Sequence, residues 1–169
     1  IENNLLYSSK HPGEVFQDIL SVSGFENRWP QYAKHNIEAN PDVVNYRRDN
    51  PDLHLQSSSP AIDAGRYLAK TTASGSGRRI PVTEAKFFVD GYGIVKGDTI
   101  QIGSQRATIT SVDYSGNVLS VDKDLSWAKG EGVSFPYAGQ APDIGAFEYG
   151  LDSDVSTPAA PKNVTLTIN

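Results

Sequence analysis

Apolar residues in this chain come mostly in short runs of strand-like, two-residue period, and clusters of Gly, Asp, Asn, Ser and Pro separate them. The clearest series lies between residues 78 and 137. It comprises Arg79 to Val82, Lys86 to Val89, Thr99 to Ile102, Ala107 to Val112, Val118 to Val121 and Gly132 to Phe135. Turn residues fill the gaps, at Asp90-Gly91, Lys96-Gly97-Asp98, Tyr114-Ser115-Gly116-Asn117 and Lys129-Gly130-Glu131-Gly132. The pattern predicts a small antiparallel barrel or sandwich with Trp127 in its core. The Ser- and Gly-rich stretch Thr71 to Gly77 predicts a flexible loop leading into it.

Upstream, Leu5-Leu6-Tyr7 followed by Ser8-Ser9 and His11-Pro12-Gly13 predicts a short strand closed by a turn. Between Glu14 and Ser23, the residues Val15, Phe16, Ile19, Leu20 and Val22 come close to helical spacing. They fit a short helix or a loop packed on a core equally well. Asp49-Asn50-Pro51-Asp52 is turn chemistry, and Leu53-His54-Leu55 alternates as a strand. Beyond Gly150, residues 151–162 are a Pro-rich linker without periodicity, and residues 163–169 alternate again like the start of a further β domain.

Composition narrows the classes. At 169 residues the chain can form one domain or two small ones around a hydrophobic core. Apolar residues make up 38%, with no run near the roughly 20 residues a membrane helix needs, so no membrane span is expected. The net charge of -5 argues against nucleic acid as a partner. Without Cys there are no disulfides, thiolate nucleophiles or Cys-based zinc sites. With no Met and a start at Ile1 inside a strand-like run, the chain reads as a piece of a longer protein.

Two segments flank the barrel-like unit, Leu53 to Gly65 (LHLQSSSPAIDAG) and Ala141 to Gly150 (APDIGAFEYG). Together with Asn36 to Asp42 and Asn3 to Tyr7, they resemble the C-terminal closure of right-handed parallel β-helix proteins. Many of these are exported bacterial polysaccharide lyases or other carbohydrate-active proteins. The expected fold is thus mainly β: terminal coils and cap of a right-handed parallel β-helix over residues 1–65, and a β-rich insert over 66–140. Residues 141–150 would supply the closing strand. Pro158 to Ile168 resembles the entrance to a fibronectin type III domain.

The resemblance implies a secreted or cell-surface setting, polysaccharide and the rest of the parent β-helix protein as partners, and a parent that is a polysaccharide lyase or glycoside hydrolase. Its catalytic residues would lie on earlier coils, so this chain is expected to act as a non-catalytic cap that contacts carbohydrate. An autonomous carbohydrate-binding module and a purely structural spacer are the alternatives.

The residues themselves offer little chemistry. Lys34, His35, Arg47 and Arg48 are the candidate basic groups for a lyase, but none has a partner motif; Arg47 and Arg48 are expected to face water or pair with Asp49 and Asp52. Glycosidases need two carboxyls roughly 5 to 9.5 Å apart, and Asp122 with Asp124 is the nearest local pair. That pair could offer oxygens to calcium only if a third ligand approached, and no metal or other cofactor is assigned. His11, His35 and His54 lack zinc spacing. Asp63, Asp143 and Glu148 read as turn and capping carboxylates. Aromatic side chains are the best route to a sugar, which stacks its apolar face on them. Trp29, Tyr32 and Tyr46, with Arg47 beside them, are the candidate carbohydrate-binding residues.

Overall fold

The computed structural model describes residues 2–8, 13–14 and 21–151. Expectations for His11, for most of residues 14–23, for the linker beyond residue 151 and for a further domain at 163–169 lie outside the described residues. The fold is mainly β. The first part carries β1 (Leu5–Leu6), α1 (Val22–Arg28), β2 (Ile37–Glu38), β3 (Val43–Asn45) and β4 (Asp52–Leu55). After it come β5 (Ala69–Lys70), β6 (Gly75–Pro81), a 3-10 turn (Gly91–Gly93), β7 (Thr99–Ile102), β8 (Gln105–Asp113), β9 (Val118–Trp127) and β10 (Gly132–Ser134).

β5 to β10 form one antiparallel sheet in the order β5-β10-β7-β8-β9-β6. The sheet curls until its first and last strands meet. Thr71 bridges Val82, the Thr83 N–H donates to the Lys70 carbonyl at 2.8 Å, and the Thr72 N–H donates to the Pro81 carbonyl at 3.0 Å. Meeting in this way occupies edge groups that would otherwise stand open. The curl follows from bulges that let two long strands bend. β8 shifts register against β9 between Ile109 and Ser111, and β6 shifts against β9 between Gly77 and Arg79. At the bend the Asp122 carboxylate accepts the Thr108 N–H at 2.9 Å.

Alternation along these strands fills the interior with Ile80, Ile100, Ile102, Ile109, Leu119, Val121, Leu125, Trp127 and Val133. Two expectations change here. Lys86 to Val89 forms a turn: Phe88 swings fully into the core, Phe87 stays exposed, and the Asp98 carboxylate caps the Val89 N–H at 2.8 Å where a strand neighbour would be. The Gly75–Gly77 stretch, read as loop, opens β6, because a Cβ at Gly75 would come within 3.0 Å of the Trp127 indole lying against it.

The first part corrects the β-helix reading. A β-helix stacks coil upon coil by parallel pairing, whereas among the described residues the parallel pairing is confined to β1 with β2 and the single bridge Glu2 to Lys34. β3 and β4 pair antiparallel, because the turn-forming residues between them send the chain straight back. A smaller cluster of Val43, Leu55 and Ala61, with Leu5, Ile62 and Ile144 against it, holds this base together. No described helix is long and apolar enough to cross a membrane.

The two segments flanking the barrel meet. The Gly65 N–H donates to the Pro142 carbonyl at 2.7 Å and the Ile144 N–H to the Ala61 carbonyl at 2.9 Å. Residues 141–150 run in turns and bends, and carboxylates do the joining. Asp63 Oδ1 accepts the amides of Gln140 (2.7 Å) and Ala141 (3.0 Å), and Asp143 Oδ1 accepts the Asp63 amide at 2.7 Å. The chain therefore enters and leaves the barrel at one clasp.

Candidate functional site

The aromatic candidates fall on two separate stretches of the base. Ser21 caps α1 by accepting the Gly24 N–H at 3.0 Å, and Trp29 closes it, donating its own N–H to the Phe25 carbonyl. The Trp29 ring is already engaged: Phe25 packs 4.8 Å away between centroids, and the Arg28 guanidinium lies 4.7 Å over the indole. Tyr32 follows in the next turn and is 67% exposed. Tyr46 and Arg47 belong instead to the β3–β4 connection. The Tyr46 hydroxyl donates to the Asn40 carboxamide, and the Arg47 N–H donates to Asn45 Oδ1.

Lys34, Asp52, His54, Asp122 and Asp124 have structural partners. Glu2 binds both Lys34 (3.2 Å) and Arg66 (2.8 Å), and hydrogen bonding from Lys34 holds its carboxyl below the usual range. Asp52 pairs with His54 at 2.7 Å rather than with Arg47 or Arg48, and that contact lowers its pKa. The His54 ring stacks on Phe147 at 4.0 Å. Asp124 pairs with exposed Arg78, and Asp122 serves the β8–β9 bend. Among the described residues no group of three His, Asp or Glu could hold a metal ion.

A better concavity lies where the barrel joins the clasp, a cleft of about 400 Å³. It opens between the β7–β8 turn, the start of β10 and the segment leading out to residue 140. Two tyrosines shape it. Tyr67 and Tyr137 meet edge to face at 5.7 Å, and the Tyr67 hydroxyl donates to the Gln140 carbonyl at 2.8 Å. Gly132 lets Tyr67 lie down on β10, since a Cβ there would strike the ring. Tyr137 is only 5% exposed, and burial, helped by the neighbouring Tyr67 hydroxyl, pushes its phenol up to about 12.

Behind the tyrosines, Gln101 is a buried polar hub. Its Oε1 accepts from Arg106 Nε (2.7 Å) and from the Tyr137 N–H (3.2 Å), and its Nε2 donates to the Gly103 carbonyl at 2.9 Å. Arg106 also donates to the Tyr137 carbonyl at 3.1 Å. At the rim stand exposed Ser104 and Gln140, with Glu131 beside them. The result is an aromatic wall, Tyr67 half-buried and Tyr137 buried, beside hydroxyl, amide and carboxylate groups. Sequence reasoning missed it, because Tyr67, Glu131 and Tyr137 converge only through the strand order, and no local motif marks any of them.

Comparison of the chain with protein-family models, with curated proteins and with solved structures yields no match. The geometry alone carries the functional reading.

Proposed function

We propose that this chain is a carbohydrate-contacting β module, binding a glycan in the Tyr67–Tyr137 cleft rather than cleaving it. The reading carries an extracellular setting with it, since that is where polysaccharides are met. The single observation behind it is the cleft: two tyrosines beside polar groups in a concavity of about 400 Å³. Small-molecule sites typically measure about 300 to 1,000 Å³ and combine aromatic walls with a few placed polar groups. Sugars match such a site, stacking apolar faces on rings while their hydroxyls reach amides and carboxylates. Cleavage by the two-carboxylate route needs a second acid, and Glu131 is the only carboxylate lining the cleft among the described residues.

The test is glycan affinity of the whole chain and two variants, with folding checked by near-ultraviolet circular dichroism. Tyr67→Ala is expected to weaken binding about 30-fold, the size of a hot-spot aromatic contact. Trp29→Ala is expected to leave binding within about twofold, since Phe25 and Arg28 already engage that ring. The reverse pattern would move the site to the base. A second reading, a structural spacer, draws on the clasp that brings the barrel's entry and exit together; no retention of any glycan by folded protein would favour it.

A further inference from the structure

The cleft also carries information about which sugars it takes, and this step rests on the glycan reading above. We infer that the cleft selects neutral glycans, holding sugar hydroxyls on the Glu131 carboxylate, and rejects uronic and sulfated chains. Three observations lead there.

First, no Lys or Arg lines the cleft among the described residues, so no cation stands ready for a carboxylate or sulfate. The nearest cation along the network, exposed Arg106, commits Nε to Gln101 and a terminal nitrogen to the Tyr137 carbonyl, and so braces the wall. Second, Glu131 is positioned from two sides. Its Oε2 accepts the Ala128 N–H at 2.8 Å, while its backbone N–H donates to Thr71 Oγ1 at 3.0 Å. Oε1 faces the β7–β8 turn, where a Cβ on Gly103 would lie 2.9 Å from it. Gly103 has φ +55, so glycine meets both the backbone and the steric demand there.

Third, the electrostatics oppose anions. Hydroxyls donate to a carboxylate in short, charge-assisted bonds, a contact that uronate or sulfate oxygens cannot make. A like charge within a few ångströms of Glu131 near the surface costs roughly tenfold or more in affinity, and salt reduces that cost.

The experiment is calorimetric titration of the full chain at low and high salt. The neutral probes are a soluble β-glucan, a mannan and a galactan; the anionic probes are polygalacturonate and chondroitin sulfate. At low salt at least one neutral probe is expected to bind at least about tenfold more tightly than either anionic one. High salt should narrow that gap in the wild type. Glu131→Gln retains a side-chain oxygen for the Ala128 amide, so it should narrow the gap at low salt and remove its salt dependence. Tighter binding of an anionic probe, lost in Tyr67→Ala, would overturn the neutral preference while leaving the glycan reading intact. A gap unchanged by Glu131→Gln would overturn the role given to Glu131. Binding of no probe at all would overturn both readings.

Discussion

The barrel and the base that carries it are held by different forces. The barrel gathers a continuous interior from Ala69 to Val133, with Phe88, Ile80, Ile100, Ile102, Leu119 and Val133 fully buried. The base gathers only Val43, Leu55 and Ala61 into a buried apolar cluster, with Val22 and Ala33 buried apart from it. It relies instead on side chains bonded to backbone: Asn36 Oδ1 accepts the Asn4 N–H at 3.0 Å, Glu26 Oε1 accepts the Asn36 N–H at 2.7 Å, and the clasp adds Asp63 and Asp143. Apolar burial is insensitive to pH and adds up over a continuous core, whereas the base's bonds to the Glu26, Asp63 and Asp143 carboxylates act one by one and weaken when those groups are protonated. The cleft straddles the two, with Gln101 and Gly132 on barrel strands and Gly139 and Gln140 on the segment that leads into the clasp.

The largest expected effect separates the two cores. Phe88→Ala should cost about 3 to 5 kcal/mol, and Leu55→Ala about 2 kcal/mol, at the lower end for a buried leucine, because its partly open surroundings can collapse. Urea unfolding followed separately by barrel and base signals measures both. Equal losses, with both regions melting together, would erase the distinction.

Next in size is Gly132→Ala. The added methyl would strike the Tyr67 ring, so a loss of about 1 to 3 kcal/mol is expected, together with lost glycan binding. Full stability and full binding would show that Tyr67 does not need its bed on β10.

Asp63→Ala is expected to cost about 1 to 2 kcal/mol, for it orphans the Gln140 and Ala141 amides and puts Ala at φ 55. Hydrogen exchange should accelerate at those amides while the amides of Ile100 and Leu119 stay protected. Acceleration spread evenly through the barrel would mean that the clasp and barrel open as one unit.

The smallest effect concerns pH. Burial, with Asp143 and Asp63 close by, raises the Glu148 carboxyl above its ordinary 4.5, and its buried Oε2 lacks a partner among the described residues. A carboxyl raised by folding contributes stability that is present below the unfolded value and lost as pH rises through the folded one. Glu148→Gln should therefore flatten the decline in base stability above pH 4.5. An unchanged pH profile of thermal unfolding would show that Glu148 is not its source.

Much of the barrel was legible from alternation. Thr99 to Ile102 is β7 residue for residue, and Val118 to Val121 opens β9, because one face of each packs inward. Phe87-Phe88 misled, since two adjacent large apolar residues read as strand while only one of them goes inside. The parallel-coil expectation failed for a related reason: local resemblance does not set strand direction, and the turn residues Arg48 to Asn50 reverse the chain. The cleft was not legible. Composition favoured Trp29, a large aromatic in a polar loop, yet the concave aromatic pair joins residues 70 apart in sequence, which only the strand order brings together.

The most direct test of the account is to follow the backbone amides by nuclear magnetic resonance while the intact chain is titrated with soluble β-glucan oligosaccharides, then with mannan and galactan oligosaccharides. The account predicts, for at least one of them, saturable shifts confined to Gln101, Gly103, Ser104, Gly132 and Gln140. Shifts centred on Trp29 and Tyr32, or none with any of these sugars, would contradict it.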